Sequence, residues 1–194
     1  MPQHYLTDAD GTVRGPGAKP PEPAAGPLLP ARAGLREVMS RFATGITVLT
    51  AGGEHAHGMT ANSFTSVSLE PPLVLCCVSR VARMHSAIVE AGSYAVSVLG
   101  ADQRDVARHF ADWRRPGGLA QFDAVDWTPG PRTGAPLLGG ALAWLECALD
   151  SVHVGGDHSI FVGRVLASSG TGGDPLLFYG GDYLRFDDRL RATA

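Results

Sequence analysis

The stretch from His57 to Ser79, HGMTANSFTSVSLEPPLVLCCVS, sets the interpretation of the whole chain. Its second half is an unbroken apolar run entered through Pro71 and Pro72, which predicts an extended strand covered on both faces. A barrel hairpin would ordinarily alternate apolar with charged residues. The first half instead carries small, uncharged polar side chains: Thr60, Asn62, Ser63, Thr65, Ser66 and Ser68. Such side chains suit neutral hydrogen bonding to a flat ligand with polar edges.

Length and charge exclude several classes of protein. The 194 residues are enough for one domain with a sizeable core. With 16 basic and 19 acidic residues, the net charge of -3 gives no electrostatic reason to expect nucleic acid or an anionic membrane as partner. We expect Arg114 and Arg115 to be solvated loop charges. No apolar run approaches the roughly 20 residues of a membrane span and no signal pattern opens the chain, so a cytoplasmic location is expected.

The three cysteines form neither a disulfide framework nor a metal-binding spacing. Cys76 and Cys77 are adjacent on the apolar run, so their side chains point to opposite faces of a strand. We expect all three, including Cys147, to be reduced thiols that mostly serve the core. A reactive thiol remains the alternative.

Two regions divide the chain. Residues 1–31 are rich in Gly, Pro and Ala without an apolar period, which predicts a disordered arm. Residues 32–190 are predicted to form the folded domain. It opens with a helix whose apolar residues recur at helical spacing, namely Leu35, Val38, Met39 and Phe42.

The order of elements predicts the fold class. Strands are expected at 46–51, 57–62, 73–78 and 93–99, and a hairpin is expected across Gly155 to His158. Helices are expected at 82–92, ended by Gly92, and at 101–113, with Val106, Phe110 and Trp113 on one side. A long irregular connection from Arg114 to Gly140 is a candidate cover for a site. With no regular βαβ repetition, the chain is predicted to be mainly β with short helices, as a closed antiparallel barrel.

The sequence lacks the motifs of several enzyme classes. There is no G-x-S-x-G elbow, no H-E-x-x-H zinc motif and no glycine-rich phosphate loop. The segment TANSFTS has the donors and acceptors that the polar edge of a flavin ring would need, although such residues also cap turns. Ser79, Arg80, Arg83, His85 and Ser86 surround a predicted helix start, where an anion is favoured. The competing interpretation is a cationic, solvated helix end.

Taken together, the motifs resemble the flavin reductase family, the small reductase components of two-component flavin-dependent monooxygenases. The matching segments run in the family's order over about residues 35–187: RFATGITVLTA, HGMTANSFTSVSLEPPLVLCCV, SYAVSVL, FDAVDW, PLLGGALAWLEC, GGDHSIFVGRV and PLLFYGGDY. The resemblance implies an FMN-binding split β-barrel, Greek-key-like, assembled as a homodimer. It also implies reduction of FMN, or FAD, by NADH or NADPH, with reduced flavin supplied to a partner monooxygenase.

The resemblance also implies roles for particular residues. Thr60, Ala61, Asn62 and Ser63 would line the isoalloxazine ring and ribityl chain. Ser79 and Arg83 would lie near the phosphate, although the family commonly carries Ser, Thr or Lys where this chain has Arg80, Arg83 and His85. The turn of Asp157 and His158 would lie near the nicotinamide, with His158 the expected contact, and Tyr183 would approach the same region.

Two other functions remain open on the sequence. One is a flavoenzyme similar to pyridoxamine-phosphate oxidases, which would hold FMN tightly and oxidise a small substrate. The other is a non-enzymatic flavin- or haem-binding module. For the reductase, hydride passes between nicotinamide and flavin rings that the protein must hold in contact, and no protein nucleophile is needed.

Overall fold

A computed structural model describes residues 6–7, 13–14, 31–54 and 56–186 of the chain. The first compact unit, Met1–Glu37, contains β1 (Leu6–Thr7) and β2 (Val13–Arg14), which pair antiparallel. The predicted disordered arm at 1–31 otherwise lies outside the described residues. That arm and the 32–190 boundary therefore stay predictions.

The described chain is mainly β with few helices, as predicted. The helices are α1 (Ala31–Ser40), α2 (Arg83–Ala91), α3 (Arg104–Ala111) and a 3-10 turn at Gly118–Phe122. The remaining strands are β3 (Thr44–Gly45), β4 (Thr47–Ala51), β5 (His57–Ala61), β6 (Phe64–Leu69), β7 (Pro72–Ser79), β8 (Ser93–Val98), β9 (Trp127–Pro129), β10 (Pro136–Leu138), β11 (Ala143–Gly155), β12 (His158–Gly170), β13 (Leu176–Tyr179) and β14 (Asp182–Arg185).

Seven strands form the main antiparallel sheet, in the order β5-β4-β8-β11-β12-β7-β6. A smaller sheet has the order β14-β13-β3, and β9 pairs with β10. The prediction of a closed barrel is not confirmed, because the edge strands β5 and β6 share no ladder within the described residues. The long hairpin of β11 and β12 occupies the middle of the sheet and fixes the register of the strands on either side.

The two edge strands are nevertheless consecutive in sequence. Only Asn62 and Ser63 separate the end of β5 from the start of β6. Three peptide steps span at most about 11 Å, so the sheet must curl until its opposite edges meet at this connection. The backbone N–H of Cys77 donates to the carbonyl of Ser63 at 3.1 Å, which holds the connection against β7. The polar segment identified in the sequence therefore connects the two opposite edges of the curled sheet.

Strand β7 differs from its prediction on one face. Val74, Cys76 and Val78 are buried, whereas Leu75 and Cys77 on the opposite face are only partly buried. Apolarity on both faces predicts burial on both faces. The second face instead lines a cavity, so its apolar character serves a concave surface.

Helices α2 and α3 pack on the sheet through apolar stripes. α2 buries Met84, Ala87 and Ile88 and ends at Gly92, whose φ of 61° is the left-handed conformation that glycine readily adopts. Burying three such side chains is worth several kcal/mol at about 25 cal/mol per Å² of apolar surface.

α3 buries Ala107 and Phe110 and ends at Ala111, earlier than predicted. Trp113 was expected on the buried side of this helix, and that expectation is wrong. The chain is already extended at Asp112, and Trp113 is 81% exposed.

The core has two main clusters. One, around Tyr94 and Phe161, lies between the main sheet and α2. The other, around Phe110 and Phe122, joins α3 and the 3-10 turn to the smaller sheet. None of the described helices has the length and apolarity required to cross a membrane.

Candidate functional site

Two cavities lie at the polar segment identified in the sequence. The first, of about 480 Å³, has Thr60 and Arg83 among its lining residues. The second, of about 750 Å³, is lined in part by Asn62, Ser63 and Cys77. The predicted flavin-contacting residues Thr60, Asn62 and Ser63, around the end of β5, are therefore divided between two cavities. Both volumes fall in the range of small-molecule sites.

Hydroxyl groups in this segment are used to hold the strands together. Thr60 Oγ1 donates to the carbonyl of Ala107 in α3 at 2.7 Å, and Ser63 Oγ donates to the carbonyl of Cys77 at 2.8 Å. The carbonyl of buried Ala61 accepts from Thr47 Oγ1 at 2.8 Å. The Thr60 and Ser63 hydroxyls thus donate their protons within the protein, which leaves their oxygen lone pairs to accept further hydrogen bonds.

Asn62 differs from its neighbours. Its side chain is exposed at the second cavity and makes no hydrogen bond to any other described residue. A primary amide provides two N–H donors and one carbonyl acceptor. Asn62 is therefore the residue of this segment that presents both donor and acceptor to the cavity.

The start of α2 contributes positive charge to the first cavity. Arg83 is the first residue of α2. The residue before it, Ala82, has no side chain that could cap the helix. The Arg83 side chain is exposed and lines the cavity. Its guanidinium forms neither an ion pair nor a hydrogen bond with another described residue. Unpaired backbone N–H groups and a guanidinium together favour an anion here.

Arg115 and His57 belong to the same cavity, and sequence reasoning missed both. The prediction that Arg115 is a solvated loop charge is wrong, because its side chain is partly buried. Its guanidinium donates to the carbonyl of Gly58 and to His57 Nε2, the latter at 3.0 Å. Burial, followed by the charges on Arg115 and Arg83, lowers the pKa of His57 to about 4. His57 is thus a neutral ring at physiological pH. The contacts depend on the fold alone, and no local sequence signal marks them.

The turn between β11 and β12 lies beside the start of α2. His158 is opposite Ser79 in the β7–β12 ladder, and the backbone N–H of Arg80 donates to the carbonyl of Asp157 at 3.0 Å. His158 is exposed, with Nδ1 at 2.8 Å from Asp157 Oδ1. The structure therefore brings Ser79, Asp157 and His158 together, and their separate roles at the phosphate and the nicotinamide stay predictions.

A second link joins the same elements through side chains. His85 Nε2 of α2 lies 3.0 Å from the hydroxyl of buried Ser159, and the His85 ring meets Phe161 edge-on at 5.0 Å. These contacts attach the first turn of α2 to β12, one residue beyond His158. The cavity residue Arg83 and the His158 turn are therefore held at a fixed separation.

Tyr183 lies elsewhere in the structure. It belongs to β14 of the smaller sheet and packs against Phe178 at 5.5 Å. Partial burial raises its pKa, and the charges on Arg108 and Arg104 oppose that shift. Its predicted role at the nicotinamide stays a prediction.

The cysteines and acidic residues offer little other chemistry. Burial is the largest cause that raises the pKa of Cys76 and of Cys147 to about 12, so both are neutral thiols. Across the described ranges, no group of three or more His, Cys, Asp or Glu side chains is arranged to hold a metal ion. The two cavities at the end of β5 are thus the best supported functional site.

Comparison with known proteins identifies the relatives of this chain. The profile of the family described as "Flavin reductase like domain" matches residues 39–187. The chain is 53% identical over 156 residues to an NADH-dependent FAD reductase of Streptomyces globisporus, covering 80% of this chain and 86% of that protein.

Two solved structures are also similar. One is BorF, the flavin reductase component of a bacterial two-component tryptophan halogenase, with a TM-score of 0.78 and 52% identity over 81% of this chain and 99% of BorF. The other is the Streptomyces globisporus NADH:FAD oxidoreductase in complex with NAD and FAD fragments, with a TM-score of 0.78 and 49% identity over 84% of this chain and 98% of that one. The chain therefore belongs to the flavin reductase family.

Proposed function

We propose that this protein is an NADH-dependent flavin reductase whose reduced flavin serves a partner flavin-dependent oxygenase or halogenase. The proposal is carried by the end of β5, where the Asn62 amide, which has no hydrogen-bond partner among the described residues, lines the second cavity and Arg83 lines the first. The names of its relatives, an NADH-dependent FAD reductase and the reductase component of a halogenase, support the same activity.

The residues present fit a flavin nucleotide. Asn62 matches the alternating acceptors and donor on the pyrimidine edge of the ring, and the oxygen atoms of Thr60 and Ser63 line the same strand end. Arg83, at the first turn of α2 beside Ser79, would hold the phosphate. FAD is the proposed flavin because a relative with 53% identity is named an NADH-dependent FAD reductase. FMN is the second choice.

The turn of Asp157 and His158 is proposed to receive the nicotinamide. It is exposed, and Ser79 and the His85–Ser159 hydrogen bond hold it beside the start of α2. When bound, the flavin accepts a hydride from the reduced nicotinamide. The protein's own task is to hold the two ligands in contact. The Asn62 amide, which has no hydrogen-bond partner among the described residues, can donate to the ring edge without breaking a bond to any of them.

Homodimerisation is part of the proposal. Val38 and Phe42 are 66% and 65% exposed, and Met39 beside them is 52% exposed. Met39 and Phe42 also line the second cavity, together with Phe64 and Leu75. Exposed apolar side chains of this size around a cavity are typical of an interface. A second copy of the chain would cover them and close the curled sheet as a split barrel.

A steady-state assay tests the activity. NADH and NADPH are each combined with FAD, FMN and riboflavin, and oxidation of the nicotinamide is followed. We expect NADH with FAD to give the highest kcat/KM. A protein that leaves gel filtration yellow would indicate a tightly held flavin, as in the pyridoxamine-phosphate-oxidase alternative. No oxidation with any flavin would contradict the proposal and favour a binding module.

Two variants separate the proposed ligand sites. Asn62→Ala should weaken flavin binding by about 1–3 kcal/mol, since the ring edge loses its hydrogen bonds. His158→Ala should raise the KM for NADH and leave flavin affinity nearly unchanged. Ser66→Ala, at an exposed position on β6, is the matched control for the first variant. If His158→Ala weakens flavin and NADH equally, the assignment of His158 is wrong.

A further inference from the structure

The first cavity carries positive charge that its lining residues do not neutralise. Arg83 and Arg115 both line it, and none of its lining residues is an Asp or Glu. The nearby carboxylate of Asp112 is engaged by Arg114, at 3.1 Å from its Nε. Two guanidinium groups that form no ion pair with a carboxylate of the described residues favour an anionic ligand, as in a phosphate site.

Arg115 is held rigidly in place. Its Nη1 donates to the carbonyl of Asp112 at 2.8 Å, and its Nε lies 3.3 Å from Oε1 of the buried Gln121. Its guanidinium also lies 5.8 Å from the centre of the Phe110 ring. A guanidinium fixed by several contacts loses little further freedom on binding, so it is organised in advance for a ligand.

Much of the remaining lining of the cavity is apolar and exposed. Trp113 is 81% exposed and Val81 is 95% exposed, and both line the cavity with Met59. An exposed indole beside two arginines provides a flat surface for a planar base, and stacking of a base on such a ring is tolerant of its identity. Charge and flat surface together match a phosphate group joined to a purine.

We propose that this cavity binds the adenosine diphosphate half of a dinucleotide, with Arg83 and Arg115 at the phosphates and Trp113 stacked on the adenine. FAD and NADH share this half, whereas FMN and NMNH lack it. Trp113 is then a residue that determines preference for dinucleotides over mononucleotides. The inference rests on the proposed function for the identity of the ligands, but binding of ADP tests it without any turnover.

Binding titrations give the direct test. The affinities of wild type, Trp113→Ala and Trp113→Phe are measured for ADP, FAD, FMN, NADH and NMNH. We expect Trp113→Ala to weaken ADP by about five- to 100-fold, the effect of losing one base stack. The same variant should weaken FAD or NADH, whichever occupies the cavity, and should leave FMN and NMNH within about twofold of wild type. Trp113→Phe should restore most of the lost affinity.

Controls and contrary results are equally specific. Arg114→Ala, which removes an exposed neighbouring charge outside the cavity lining, should leave all five affinities unchanged. Equal losses for FAD and FMN in Trp113→Ala would mean that the indole contacts the flavin ring, and would overturn the inference. Unchanged affinity for ADP, FAD and NADH would overturn it too. A wild type that binds ADP at Trp113 but reduces no flavin would refute the proposed function and leave the cavity assignment standing.

Discussion

His57 should make the protein less stable in acid, and the structure gives the size of the effect. The ring is partly buried, and Arg115 Nη2 lies 3.0 Å from its Nε2. Burial, then Arg115 and then Arg83, lower its pKa from 6.5 to about 4. The neutral ring accepts from Arg115 at Nε2 and carries its proton on Nδ1.

The direction in which pH changes the free energy of unfolding depends on whether the folded or the unfolded state binds more protons. Between pH 6.5 and about pH 4 the unfolded chain protonates His57 and the folded protein does not. The free energy of unfolding therefore falls as the pH falls through this window, and the full stability is present above pH 6.5. A gap of about 2.5 pH units at about 1.4 kcal/mol each gives roughly 3.4 kcal/mol. Because the ring is partly exposed, solvent screening reduces this to about 1.5–2 kcal/mol.

Urea unfolding from about pH 7 to about pH 4 measures the effect in wild type and His57→Gln. The glutamine carbonyl still accepts from Arg115 but does not titrate. We expect wild type to lose about 1.5–2 kcal/mol more than His57→Gln over this window. His153→Gln, at an exposed position on β11, should follow wild type. Parallel pH dependence in wild type and His57→Gln would refute the role of His57.

Two further predictions concern packing and thiol chemistry. Gly58→Ala should lower the free energy of unfolding by about 1–3 kcal/mol in urea titrations, because the added methyl would lie 2.6 Å from a buried phenylalanine ring. Gly172→Ala, where nothing lies within 4 Å, should change little, and equal effects would contradict the packing. Mass spectrometry after alkylation of the native protein should find label on Cys77 and none on Cys76 or Cys147, which are buried with pKa values near 12. Labelling of either buried cysteine in the folded protein would refute this.

Local signals explain what the sequence predicted well. The end of α2 at Gly92 and the β11–β12 turn at Gly156 both need a left-handed backbone, which glycine supplies at little cost. Strand β4 follows from its β-branched residues, and the Asn62 segment stood out because uncharged polar residues interrupt an otherwise apolar region. Each of these features depends on only a few consecutive residues.

Contacts between distant segments explain what the sequence did not show. Arg115 and His57 are 58 positions apart, and only the packing of the chain after α3 on β5 brings them together. Trp113 has the sequence spacing of a buried helical residue. Because α3 ends before Trp113, that spacing does not predict its burial. The half-open face of β7 could not be foreseen either. An apolar run looks the same whether it faces a core or lines a cavity.

A crystal structure of the protein with FAD bound tests the central claim most directly. We expect the flavin ring to lie at the end of β5, with its polar edge within hydrogen-bonding distance of Asn62. We also expect a phosphate of the flavin nucleotide to contact Arg83. A flavin found elsewhere, for example in the polar cavity near Asp102 and Gly173, would contradict it.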